Sequence, residues 1–233
     1  MFKAWFSGCY SVVMYNNKMR VNLISYTTPS AELQLRGIKT AEDLIVYNAR
    51  VSNPKNQLNN ETGDKLIKYC VNHGHWSIFE QAMLTVEIET SRAIAAQIIR
   101  HRSFTFQEFS QRYATIQGFE SIELRKQSES NRQSSTDIIT DSVVEQITHD
   151  AVNASYKAYK ELLDKGVARE VARMVLPLTT STTMYMTGTC RSFIHYIDLR
   201  TKQDTQKEHR LIAEQIKELF KSQFPATSAA LKY

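Results

Sequence analysis

An alanine-rich apolar stretch, SRAIAAQII from Ser91 to Ile99, runs directly into RHRSFTFQEFSQRY, residues 100–113. The first part reads as a buried helix. The second holds three arginines, a histidine, one carboxylate (Glu108) and two serines, and little that would build a plain core. Any fold of this chain must therefore deliver concentrated positive charge from the end of a buried helix. Guanidinium groups are planar, permanently charged and forked, which suits phosphates and planar carbonyl edges. Three of them on one pocket need an anion to relieve their repulsion. Basic residues at a helix C-terminus also complement the macrodipole, so Arg-His-Arg alone reads more often as helix punctuation. Phe104, Phe106, Phe109 and Tyr113 alternate with polar groups and predict an ordered segment.

The glycines sharpen this reading. There are seven, with no G-x-G-x-x-G and no G-K-[ST] among them. A dinucleotide bound here would be held by side chains instead of a glycine-rich loop. The formal net charge of +5 favours anionic partners. Three scattered cysteines, Cys9, Cys70 and Cys190, offer neither a disulfide framework nor zinc spacing, which points to a reducing compartment and no metal. No stretch approaches the roughly 20 apolar residues that cross a bilayer. At 233 residues the chain suffices for one substantial domain, read as residues 21–233 behind an N-terminal extension of residues 1–20.

Along the chain, Val21–Tyr26 reads as a strand. Thr40 and Asp43 predict a capped helix through TAEDLIVYNARV, ended by Asn53-Pro54. A second helix starts at Asp64, with Gly74 placed to stop it. Leu84, Val86 and Ile88 alternate as in a strand. Residues 118–137 are polar and read as a surface loop. A long amphipathic helix is expected from Asp141 to about Lys165, burying Val144, Ile147, Ala151, Ala154, Ala158 and Leu162. A short helix, Arg169–Leu176, stops at Pro177. Thr179–Thr187 is extended, Arg191–Arg200 helical, and a last helix spans about Gln206–Phe224. The sum is an α+β fold, a compact single domain of several helices around a small sheet.

Four segments together resemble a known family. Arg-His-Arg followed seven residues later by Ser, here Arg100, His101, Arg102 and Ser110, is similar to the signature of flavin-dependent thymidylate synthases. HGHWSIFEQ (73–81), VARMVLPL (171–178) and RSFIHYIDLR (191–200) resemble the family's other motifs in order and spacing. FQEFSQRY is most similar to a branch found in large DNA viruses and some bacteria. The resemblance covers the chain from about Val21 onward. It implies a homotetramer with active sites at subunit interfaces, acting in the cytoplasm (a host cytoplasm for a viral source). The implied reaction is reductive methylation of dUMP to dTMP, with methylenetetrahydrofolate as carbon donor and NADPH-reduced FAD as hydride carrier.

The resemblance also assigns residues. Arg200 matches the substrate-activating arginine, and a salt bridge at a helix end is the plain alternative. Ser77, Arg100, His101, Arg102, Glu108, Thr189, Cys190, Arg191 and His195 fall at flavin-contacting positions. Gln97, Ile98, Ile99, Arg100, Glu108, Phe109, Ser110, Gln111, Arg112, Arg173 and Arg200 fall at nucleotide positions. His75 reads equally as a residue near flavin and folate or as a capping or core histidine. No cysteine has an activating context, so each reads as a small buried apolar residue. The chain departs from the common pattern at Gln107, Gln111, Thr189 and His195. Two other classes stay in view: a nucleic-acid-binding protein, disfavoured by dispersed basic residues, and an inactive oligomeric scaffold, disfavoured by the intact arginines.

Overall fold

The computed structural model describes residues 15–16 and 19–233, so most of the 1–20 extension and Cys9 lie outside the described residues. In chain order the elements are β1 (Tyr15–Asn16), β2 (Arg20–Tyr26), α1 (Ala31–Leu35), α2 (Ala41–Ala49), α3 (Gly63–Asn72), β3 (Met83–Ser91), α4 (Arg92–Ile98), β4 (Thr105–Glu108) and β5 (Phe119–Glu120). Then follow β6 (Arg125–Gln127), β7 (Ser135–Ile138), α5 (Ser142–Asp164), α6 (Arg169–Ala172), β8 (Ser181–Thr189), α7 (Cys190–Arg200), α8 (Lys207–Gln223) and α9 (Pro225–Leu231). The α+β expectation holds, with a four-stranded antiparallel sheet in the order β2-β3-β8-β4 at its centre.

Period-two patterning builds the sheet's inner face. Leu84, Val86 and Ile88 of β3 are buried and stand opposite Gly188, Met186 and Met184 of β8. Helices α2, α3, α4, α7, α8 and α9 contribute to the same core through residues such as Ile45, Ile67, Ile98, Phe193, Ile216 and Leu231. The other face carries Thr85, Glu87, Tyr185 and Thr187, partly exposed and linked by hydrogen bonds such as Tyr185 Oη to Glu87 (2.8 Å). Gly188 is there for space. A Cβ on it would lie 2.3 Å from the Phe104 ring, which crosses β8 at that point. Gly188→Ala is therefore expected to lower stability by about 1–3 kcal/mol, measured by urea unfolding. An unchanged midpoint would mean that Phe104 moves away freely.

The Thr40 cap forms as expected. Thr40 Oγ1 accepts from Asp43 N (3.0 Å) while Asp43 accepts from Thr40 N (2.8 Å). Gly74 closes α3 at φ +67°. Three expectations need correction. First, α5 buries Val152 and Tyr159, while Ile147 is 63% exposed. The reason is that α5 meets only a small satellite cluster around Phe119, Tyr156 and Leu176, so one narrow strip suffices. Second, residues 118–137 are not a plain loop, since they contain β5 and the β6–β7 hairpin. Arg125 and Glu123 tie this segment to α8 through Glu208 (2.7 Å) and Lys207 (2.7 Å). Third, the helix expected to be the last, about Gln206–Phe224, is followed by α9, which opens on Pro225, as proline suits a first helical turn. The buried Glu42 of α2 accepts from Ala226 N (2.9 Å) and Thr227 N (2.7 Å) at that new N-terminus.

Candidate active site

The chain turns sharply after α4. His101 N bonds back to Ile98 O (3.0 Å), and Phe104 N to His101 O (3.2 Å). That turn drops the His101 ring inward against Tyr196 (4.9 Å between centroids) and leaves Arg100 and Arg102 exposed on either side. Arg200, the last residue of α7, donates from Nε to His101 Nε2 at 2.9 Å. Burial, and then the positive charges of Arg200, His195 and Arg100, push the His101 pKa down to about 4. His101 is therefore neutral at pH 7, with its proton on Nδ1. The bond consumes only the Nε end of Arg200 and leaves the two-nitrogen fork for a ligand.

A second group lies along β4 and beyond. Glu108 accepts from Arg92 Nη1 (2.7 Å) and Thr182 Oγ1 (2.9 Å), which holds its carboxylate at the sheet's end. Ser110 Oγ accepts from Arg112 N (3.4 Å). Arg112 pairs with the Glu170 carboxylate (2.9 Å), and Arg173 Nε donates to the Glu170 carbonyl (3.3 Å). The two arginines thus meet at one turn of α6. Phe109 N bonds to Thr183 O (2.8 Å), continuing the sheet. Gln111 is buried, and its Nε2 has no hydrogen-bond partner among the described residues.

A third group surrounds a cleft of about 540 Å³ lined by Trp76, Ser103, Arg191 and His195, among others. Ser103 connects the Arg-His-Arg run to this cleft, and its carbonyl accepts from Ser192 Oγ (3.2 Å). Ser77 sits on the short 3-10 turn Trp76–Glu80 beside it. Arg191 forms an ion pair with Glu80. Thr189 caps α7, its Oγ1 accepting from Ser192 N (3.2 Å), so the hydroxyl is already engaged in the fold. His75 is exposed and not a core residue; it holds the N-cap position of the Trp76–Glu80 turn without a side-chain cap bond, and its ring lies edge-on to Tyr69 (5.8 Å).

Two assigned side chains face inward. Ile98 is fully buried, and Ile99 beside it is exposed. Cys190 is also fully buried, its amide bonds to Ala82 O (2.8 Å), and burial pushes its thiol pKa well up. Both side chains pack into the core, which leaves their backbone groups for any ligand contact. Cys70 is buried too, with a raised thiol pKa. Substituting Cys70 and Cys190 by Ala is expected to leave single-turnover rates within a few-fold, because a buried neutral thiol is a poor nucleophile. Abolished turnover with fold and flavin content intact would overturn this.

Several partners escaped sequence reasoning. Arg92 and Thr182 carried no motif. His209 sits on the apolar stripe of α8 with Ile212, Ala213, Ile216 and Phe220, and a histidine in such a stripe was the available signal. Among the described residues no group of three His, Cys, Asp or Glu is placed to hold a metal, and no helix is long and apolar enough to cross a membrane.

Exposed arginines around a neutral histidine, next to an open cleft, form a group whose chemistry suits anionic ligands with planar polar edges. The comparisons make the class specific. The family described as "Thymidylate synthase complementing protein" matches residues 34–226. A probable flavin-dependent thymidylate synthase of Paramecium bursaria Chlorella virus 1 is 49% identical over 221 residues, covering 92% of this chain and all of that one. A flavin-dependent thymidylate synthase of Synechocystis is 45% identical over 218 residues, again covering 92% of this chain and all of its own length. The UMP/dUMP methylase PolB of Streptomyces cacaoi, bound with 5-Br dUMP, superposes with a TM-score of 0.81 at 26% identity, over 94% of this chain and 97% of that one. This chain belongs to the flavin-dependent thymidylate synthase family and is an enzyme.

Proposed function

We propose that the chain converts dUMP to dTMP, taking the carbon from methylenetetrahydrofolate and the reducing equivalents from NADPH through FAD. The observation that carries this reading is the Arg200–His101 contact at the meeting of α4 and α7. It aims the free fork of a permanently charged group outward from a rigid support. A guanidinium beside uracil N3 and a carbonyl stabilises the anion formed as N3 loses its proton, which raises the nucleophilicity of C5. Because His101 is neutral, it supports Arg200 without adding repulsion. Arg112, Arg173 and Ser110 would bind the nucleotide's phosphate and sugar, where bidentate guanidinium contacts are favourable.

The residues fit FAD. Arg100 and Arg102 are exposed and enter no ion pair among the described residues, so an anionic cofactor can take them up. Arg191, His195, Ser77 and Ser103 offer hydrogen-bonding groups at the cleft. Bound FAD supplies hydride chemistry, and the chain supplies binding, orientation and electrostatics.

The reading includes a homotetramer with shared sites. Tyr113 (85% exposed), Met174 (79%) and Leu178 (69%) surround Arg112 and Arg173, and apolar groups so displayed suit burial against further copies. The test is anaerobic incubation of flavin-loaded protein with dUMP, methylenetetrahydrofolate and NADPH. dTMP is expected, with NADPH consumed in proportion. Flavin-loaded protein that makes no dTMP under these conditions overturns the proposal.

A further inference from the structure

A hydrogen-bond chain runs from the buried core to the surface, and its polarity is fixed at its outer end. Glu208 accepts only, so Gln206 Nε2 donates to it (2.9 Å). The Gln206 oxygen therefore accepts from Gln97 Nε2 (2.6 Å). That leaves the Gln97 oxygen to accept from His209 Nδ1 (3.2 Å). His209 Nε2 must then accept from the Tyr196 hydroxyl (3.0 Å). Arg125 holds the outer end, pairing with the other Glu208 oxygen (2.7 Å). Each member has one orientation, because reversing any one sets two acceptors or two donors face to face.

His209 and Tyr196 are fully buried. Burial first, and then the charges of Arg200 and His101, lower the His209 pKa to about 3. The ring is thus neutral, one nitrogen donating and the other accepting. Gln97 is half-buried, and its amide is the outermost group of the chain on α4. Its oxygen is turned inward, and one Nε2–H remains unused.

We propose that His209 is a positioning residue that locks the Gln97 amide so that it offers a donor, not an acceptor, to the pyrimidine ring. The edge contacted is the one at position 4, where uracil carries a carbonyl oxygen and cytosine an amino group, which a locked donor disfavours. This deepens the proposed function and rests on the nucleotide position that the family resemblance gives Gln97. A freed amide rotates and presents either end, so the lock confers preference as well as affinity. His209 acts from behind Gln97 and touches no substrate.

The experiment is calorimetric binding of dUMP and dCMP to flavin-loaded protein, in wild type, His209→Phe, Gln97→Ala and the double variant. His209→Phe is expected to weaken dUMP about tenfold, near the net worth of one hydrogen bond. It should also narrow the dUMP preference over dCMP. In the Gln97→Ala background the same change should have little further effect, since interacting residues are non-additive. Equal weakening in both backgrounds means that His209 is merely structural and overturns the inference. Unchanged binding in Gln97→Ala removes the contact on which the inference stands. Tyr196→Phe, which deletes one hydroxyl at nearly constant volume, serves if His209→Phe does not fold. It should weaken dUMP about threefold, again only while Gln97 is present, and a loss independent of Gln97 counts against the proposal.

Discussion

Arg200→Ala is expected to slow the oxidation of reduced flavin by dUMP and methylenetetrahydrofolate about 100- to 1,000-fold in a single turnover at saturating nucleotide. That is the usual cost of removing one preorganised group aimed at developing charge. The variant should fold and retain flavin, because Arg200 is only partly buried and sits at the end of α7, where its side chain bonds, among the described residues, to His101 alone. Lysine should rescue only in part, since a point charge cannot follow a planar edge with two donors. A second readout separates this role from a helix-end contact. Arg200 is one cause of the depressed His101 pKa, so that pKa should rise in the variant, as followed by NMR titration. Near-wild-type turnover in Arg200→Ala would move the activating role to Arg173 or elsewhere.

Local rules made much of the fold legible. Leu84, Val86 and Ile88 alternate, so β3 could be read directly, and Thr40 with Asp43 announced α2. The Arg-His-Arg run marked the site because its charge has no use in a core. What stayed hidden depends on partners distant in sequence. The inner face of α5 is decided by how little it touches, which periodicity cannot report. Helix α9 opens on Pro225, past the helix read as the last, and the Glu42 carboxylate that caps it lies 184 residues away. The hairpin of β6 and β7 lies in a polar run whose ion pairs to α8 only the fold reveals. The run itself did not disclose that His101 points inward while its two arginines point out. That division follows from the turn after Ile98 and from Tyr196, on another helix.

Acidification should destabilise this protein steeply, and His101 and His209 are the reason. Unfolded, each titrates near its ordinary value of 6.5. Folded, burial and neighbouring cations hold them at about 4 and about 3. Between those limits the unfolded chain binds more protons than the native one, so stability is fully present above pH 6.5 and is lost as pH falls. Each histidine contributes a slope of about 1.4 kcal/mol per pH unit, hence roughly 2.7 kcal/mol per unit for the pair between pH 6 and 4. Other groups titrate too. Burial raises the Glu42 and Glu120 pKa values, and their protonation favours the folded state as pH falls toward 4.5, opposing the histidines. A difference between two proteins cancels that background. Urea unfolding at pH 4.5, 5.5 and 6.5 should give a shallower pH slope for His209→Phe than for wild type, by about one proton's worth. His101 supplies what remains, beside Arg200, Arg100 and His195. Parallel slopes in the two proteins would show that His209 takes up a proton in the native state, and the buried neutral pair would have to be abandoned.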